Sequence, residues 1–242
     1  MKESMADWEW FDHKDSYLQT VEHKEHRELA RSYAWLLLQG RRAEASKLIL
    51  DSVQAGTTIE DVYLQVFQPV LYEIGRLWEM NQVSVAVEHY TTAATQLIMS
   101  QLFPYILHAE RKGLRMVACS ADNELHEVGV RMVADFFEMS GWDTYFLGAN
   151  TPMEAVLSTL QERRPHLLAI SVTLNRHLGY VRKLIDRVRP DPENRELKIL
   201  LGGFPFILDP QLWKGFAVDG CAQDAREAVA LAEKLIKEEK HD

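Results

Sequence analysis

The feature that most constrains the fold is a change of pattern near Glu110-Arg111-Lys112-Gly113. Before it, apolar residues recur at helical spacing; after it, short apolar runs alternate with amphipathic stretches. In the first part, Leu29, Tyr33, Leu36 and Leu37 mark one helix face, with Gly40 placed as a C-terminal cap. A second helix starts near Arg42, carries Ala45, Leu48, Ile49 and Val53 on one side, and ends at Gly56. Thr57-Thr58-Ile59-Glu60 has capping-box spacing and announces a third helix through Val62, Val66, Val70 and Ile74, with a kink expected at Pro69. The pattern breaks over Glu79-Met80-Asn81-Gln82-Val83, and Ser84 is the expected N-cap of a fourth helix. Four helices with short connections imply a small antiparallel bundle over 28–109, preceded by an extension, 1–27, too polar to read as an ordered element.

In the second part, Arg115–Cys119, Thr144–Leu147, Leu167–Ser171 and Lys198–Leu201 have strand length, and Phe216–Val218 is a weaker fifth run. Helical stretches fall at 126–140, 152–163 and 177–189, with a last one from Asp224 carrying Ala225, Val229, Leu231 and Leu235. Such alternation predicts βαβ units. The expected architecture is therefore α plus α/β: a four-helix bundle followed by a flavodoxin-like, five-stranded parallel sheet over 114–242. In that fold ligands bind at the carboxyl ends of the strands.

The formal charge of −9 opposes binding to a phosphate backbone. Cys119 and Cys221 form neither a disulfide framework nor a Cys-rich metal site. No apolar run has membrane-spanning length, and the acidic, aromatic start does not read as a signal peptide, so the expectation is a cytoplasmic protein without membrane or direct DNA contact. There is no Walker A sequence, no Gly-x-Ser-x-Gly elbow and no zinc-protease motif, which points away from an enzyme. His23 and His26 are three apart, but a solvated charged face is the expected reading over a zinc site. His108, His166 and His177 read as surface residues, His177 near the ligand edge, and Met80, Met99, Met116 and Met132 as packing residues.

The unusual residues gather at the expected strand ends. Glu124, Leu125, His126, Glu127, Gly129 and Val130 follow the first strand; Leu147, Gly148 and Ala149 close the second. Ser171 and Thr173 end the third, and Gly202 and Gly203 the fourth. Glycines there let a bulky ligand approach the backbone, and His126 offers a ring nitrogen to a metal.

Glu-x-His-x-x-Gly, Ser-x-Thr and Gly-Gly in this order resemble the cobalamin-binding domain, whose usual first motif has Asp where this chain has Glu124. The Glu variant resembles the light-sensing branch of that family. Trp78, followed by Glu88-His89 in a Trp-x9-Glu-His pattern, is similar to adenosylcobalamin photoreceptors of the CarH type. The resemblance implies cobalamin held between bundle and sheet domain, with His126 as lower cobalt ligand, Glu124 orienting it, and Gly129, Ser171, Gly202 and Gly203 lining the nucleotide slot. It further implies a lid of Trp78 and Glu88 over the adenosyl group, and His89 as upper ligand after photolysis. The expected function is a cobalamin-dependent light sensor in which loss of the adenosyl group repacks the bundle. An unknown effector protein and homo-oligomerisation are expected, since some 27 leading residues are too few for a helix-turn-helix domain. Trp8, Trp10, Phe11, His13 and Tyr17 are candidate contacts for a partner or for a second, bilin chromophore such as biliverdin. Two alternatives stand beside it: a corrinoid methyl-carrier subunit of a methyltransferase system, and a light-independent cobalamin-sensing module.

Overall fold

The computed structural model describes residues 10–107 and 109–239, so Trp8 and His108 lie outside the described residues. The chain divides into two units, Met1–Tyr105 and Ile106–Asp242.

The first unit is built from α1 (Lys24–Leu38), α2 (Arg42–Gln54), α3 and α4 (Val85–Ile106). Helix α3 runs without a break through Ile59–Asp61, Val62–Phe67 and Gln68–Glu79. Its N-cap is Thr58, whose hydroxyl accepts from the Asp61 N–H at 3.1 Å, one residue later than the sequence spacing places it. Just before Pro69, where the kink is expected, the helix widens into a π-turn over Val62–Phe67, in which the Gln68 N–H reaches the Tyr63 carbonyl. A proline ring collides with the carbonyl four residues before it. Widening the preceding turn by one residue relieves that collision and lets the helix continue. Tyr33, Phe67 and Tyr63 stack in the core, with Tyr33 and Phe67 centroids 5.3 Å apart. The Tyr33 hydroxyl lies 2.9 Å from Thr95 Oγ1, which itself donates to the Thr91 carbonyl, so Tyr33 is the donor. Tyr33→Phe is expected to lower the unfolding free energy by about 1 kcal/mol, read from urea denaturation.

The extension is more ordered than its composition suggests. Phe11, Ser16, Leu18 and Val21 are buried, and Tyr17 packs on Tyr72 with ring centroids 5.3 Å apart. Its backbone is held by buried Glu73, which accepts the Tyr17 N–H at 3.0 Å and is paired with Arg76 at 2.5 Å. Phe11 is thus part of the bundle core and is not available to wall a second chromophore. Polarity misled because three buried apolar side chains, Phe11, Leu18 and Val21, suffice to anchor a short segment on an existing core.

The second unit is a parallel sheet of order β2-β1-β3-β4-β5, formed by β1 (Arg115–Ser120), β2 (Asp143–Gly148), β3 (Leu167–Ser171), β4 (Lys198–Gly202) and β5 (Gly220–Ala222). Helices α5 (Val128–Met139), α6 (Met153–Arg163), α7 (Leu178–Val188), a short α8 (Phe204–Leu208) and α9 (Ala225–Glu239) connect and follow the strands. Alternation along β1 feeds two cores: Val117 and Cys119 join Val156, Leu160, Leu184 and Ile185, while Met116 and Ala118 join Phe137, Trp142 and Ala232. Burial on both faces explains why the central strands read as continuous apolar runs. The fifth strand lies four residues beyond the expected Phe216–Val218. Phe216 instead packs edge to face on Phe206, with Arg182 over its ring at 4.5 Å. The strand order reverses direction at β1 and β3, and the crevice at their carboxyl ends is where this topology accepts ligands.

Candidate functional site

The loop after β1 turns at Asn123, whose φ of 61° is left-handed, and buries the Glu124 side chain completely. A hydrogen bond from the Asn150 N–H to the Glu124 carbonyl, 3.0 Å, ties this loop to the one after β2. Within the crevice, Glu124 is the hub. Its Oε1 accepts from the His126 ring at Nδ1 and from the His126 N–H at 3.3 Å. Its Oε2 accepts from the N–H groups of Thr173 and Leu174 at 3.0 and 3.1 Å, and from His177 Nδ1 at 2.9 Å. Burial works to raise the Glu124 pKa, but the bonds from His126, His177 and Thr173 outweigh it and hold the carboxyl down to about 2. Glu124 is therefore ionised at any working pH and acts only as an acceptor.

His126 is half-exposed. Its carbonyl is fixed by Ser120 Oγ at 3.0 Å and its Nδ1 by Glu124, an arrangement that presents Nε2 as the ring atom for a metal. Leu125 projects into solvent beside it. Glu127 caps α5 and accepts the Ala149 N–H at 2.9 Å, again joining the first and second loops. At Gly129, in the first turn of α5, an added Cβ would meet nothing within 4 Å, which leaves open space beside the His126 loop. This donor set fits a corrinoid: one carboxylate-oriented imidazole on a loop, next to a glycine-bare helix start.

Several predicted site residues have packing or backbone roles of their own. Val130 is buried in the sheet core with Met116 and Phe137; in a helix starting at Val128 its position faces the strands. Leu147 packs against the opposite core, beside Gly148 with its left-handed φ of 76°. Thr173 contributes through its backbone. Ser171 accepts the Ala121 N–H at 3.1 Å and pairs with Gly202. Gly203, at φ 108°, lies so near the Val172 carbonyl that a Cβ would stand 2.0 Å from its oxygen; this glycine is required by strand-end packing, whatever lies in the slot.

The bundle residues form their own arrangement in the first unit. Trp78 is near the end of α3 and exposed. Glu88 is in the first turn of α4, where its Oε2 lies 2.6 Å from His89 Nδ1 and its Oε1 accepts from Thr92 at 3.1 Å. The His89 ring is exposed.

Two contributors escaped the sequence reading. His177, expected at the surface, is 7% exposed and bonded to Glu124; Arg176 Nε donates to its Nε2 at 3.1 Å. The only signal was its place soon after β3. A cavity of about 260 Å³ opens at the other, amino-terminal end of the sheet, lined by Arg115, Arg164 and His166. There Arg115 is committed to the carbonyls of Arg163 and Arg164, closing α6. Among the described residues no three His, Cys, Asp or Glu side chains are grouped to hold a metal. No helix among them is long and apolar enough to cross a membrane.

Comparison with known proteins bears on the same two units. A family model described as B12 binding domain matches residues 114–232, and a second with the same description matches 29–102. Dimethylamine corrinoid protein 3 of Methanosarcina acetivorans is 25% identical over 168 residues, 69% of this chain and 75% of that protein. Monomethylamine corrinoid protein 1 of Methanosarcina mazei is 22% identical over 201 residues, 81% of this chain and 91% of that one. The solved structure of the Methanosarcina barkeri monomethylamine corrinoid protein shares the fold, with a TM-score of 0.75 at 19% identity, covering 85% of this chain and 98% of that one. With most of its length matched by these two models, the chain belongs to the B12-binding domain family.

Proposed function

We propose that this chain carries a corrinoid on the crevice at the β1 and β3 ends, with His126 as the lower cobalt ligand, and serves as the carrier subunit of a methyl-transfer system. The observation that carries the reading is the buried Glu124 carboxylate accepting the His126 Nδ1–H, which fixes the tautomer and aims Nε2. When bound, the corrinoid would supply a cobalt centre able to take up and release a one-carbon group. The protein's own share is to bind, orient and present. His126 holds the group from below, Glu124 fixes that ring, and Gly129 keeps the helix start clear for a large planar ligand. The catalytic groups belong to a methyltransferase partner. Relatives named as mono- and dimethylamine corrinoid proteins, at 22% and 25% identity over most of the chain, support this assignment.

Light sensing through adenosylcobalamin is the second reading, and one observation favours it. Trp78 and the Glu88–His89 pair place an exposed indole and a carboxylate-oriented imidazole around a single helix connection, a set suited to covering an upper ligand and replacing it. Green illumination of the chain loaded with adenosylcobalamin separates the two. The carrier reading expects the same photoproduct spectrum from wild type and His89→Ala. A product spectrum seen in wild type and lost in His89→Ala overturns it in favour of light sensing.

A further inference from the structure

Glu124 divides its oxygens unequally. Oε1 serves His126, whereas Oε2 takes three donors: the N–H groups of Thr173 and Leu174, and His177 Nδ1 at 2.9 Å. Behind His177 stands Arg176, an exposed guanidinium whose Nε–H reaches His177 Nε2 at 3.1 Å. Arginine can only donate, so His177 Nε2 accepts and its proton sits on Nδ1, facing the carboxylate. A cation at the surface is thus linked through a buried imidazole to the buried carboxylate that orients His126.

We propose that His177 and Arg176 are positioning residues that temper the lower ligand: they draw carboxylate charge toward Oε2 and so limit the donor strength of the His126 ring. The proposal rests on the corrinoid reading above. Its physical basis is competition at one acceptor. Each donor on a carboxylate weakens what the others receive, and the guanidinium polarises His177 so that its Nδ1–H bonds more strongly. If His177 is removed, the Thr173 and Leu174 N–H groups still anchor Oε2, because they belong to the backbone. The carboxylate then keeps its place and gives more of its charge to His126, whose Nε2 becomes the stronger donor. A purely structural role for His177 predicts the opposite, a looser His126 and a weaker lower bond. The two roles differ in sign.

The test uses the full chain reconstituted with hydroxocobalamin, reduced to cobalt(II) and poised with titanium(III) citrate. Cobalt(I) holds no lower ligand, so a stronger donor resists reduction. In His177→Leu the cobalt(I):cobalt(II) ratio at fixed potential should fall about tenfold, and in Arg176→Leu about threefold, in the same direction. His177→Asn, whose amide N–H can occupy the place of Nδ1–H, should return the ratio to within about twofold of wild type. A ratio that is unchanged or raised in both leucine variants overturns the proposal. If His177→Leu yields no folded protein, Arg176→Leu decides alone, since its side chain is exposed. Electron paramagnetic resonance of wild type with 15N-labelled histidine keeps the two layers apart. Absence of a histidine-nitrogen splitting would remove His126 as the lower ligand, the reading on which the proposal rests, whereas its presence with unmoved ratios removes only the tempering role.

Discussion

Glu124→Ala is expected to destabilise the sheet-bearing unit by about 3–5 kcal/mol, measured by urea unfolding followed through the fluorescence of buried Trp142. The magnitude follows from what the carboxylate holds. Two backbone N–H groups, those of Thr173 and Leu174, and the buried His177 ring all end on Oε2. Leaving a buried donor without an acceptor costs about 1–3 kcal/mol each, and alanine would strand three while opening a polar void that water refills in part. A loss below about 1 kcal/mol would show that the loops after β1 and β3 are joined by something else. Glu124→Asp is the informative companion. Its carboxylate is one methylene shorter and must choose between His126 and the β3 loop, so an intermediate loss is expected.

His126→Ala should leave stability within about 1 kcal/mol of wild type, because the ring is half-exposed, yet raise the Kd for hydroxocobalamin by about 100-fold or more. What remains bound should lack the spectrum of a histidine-ligated corrinoid. Free imidazole should restore that spectrum, since it can enter the space vacated by the side chain and meet the same cobalt face. Unchanged affinity and spectrum would contradict the assignment of the lower ligand. The two variants are thus expected to separate functions that sit two residues apart, with Glu124 serving fold and ligand and His126 the ligand alone.

How much of this was legible in the sequence depends on whether the cause is local. β1, β3 and β4 could be read because strands covered on both faces demand unbroken apolar runs, and Leu167–Ser171 supplies one. β2, an edge strand, could be read from Tyr145 and Phe146 although both are exposed. β5 could not, since Gly220-Cys221-Ala222 is a strand only through its pairing with Leu200, Leu201 and Gly202. Phe216 looked like a strand residue because its ring is buried, but a ring can be buried from a loop. The same division runs through the site. Glu124 and His126 are neighbours in sequence, so their partnership is visible there, while His177 meets Glu124 across 53 positions and only the folded chain brings it in. The burial of Val130 in the sheet core was hidden for the opposite reason: adjacency to a motif says nothing about which way a helix turns its side chains. Gly203 was legible as special, but the close approach of the Val172 carbonyl that requires a glycine there was not.

The widened turn at Val62–Phe67 has a bearing on how the length of α3 can vary in descent. A π-turn holds one residue more than the α-helix around it, and that surplus is absorbed where it occurs. Excision of half-buried Gln65 would close the turn to ordinary α geometry and leave the indole of Trp78 facing as before only if Pro69 is replaced as well, since the closed turn restores the collision of its ring with the carbonyl four residues earlier. Excision between Gln68 and Leu77 would instead swing everything downstream by about 100° around the axis. Natural deletions in this helix should therefore concentrate at the wide turn, in chains that have also lost the proline, wherever the direction of Trp78 is under selection.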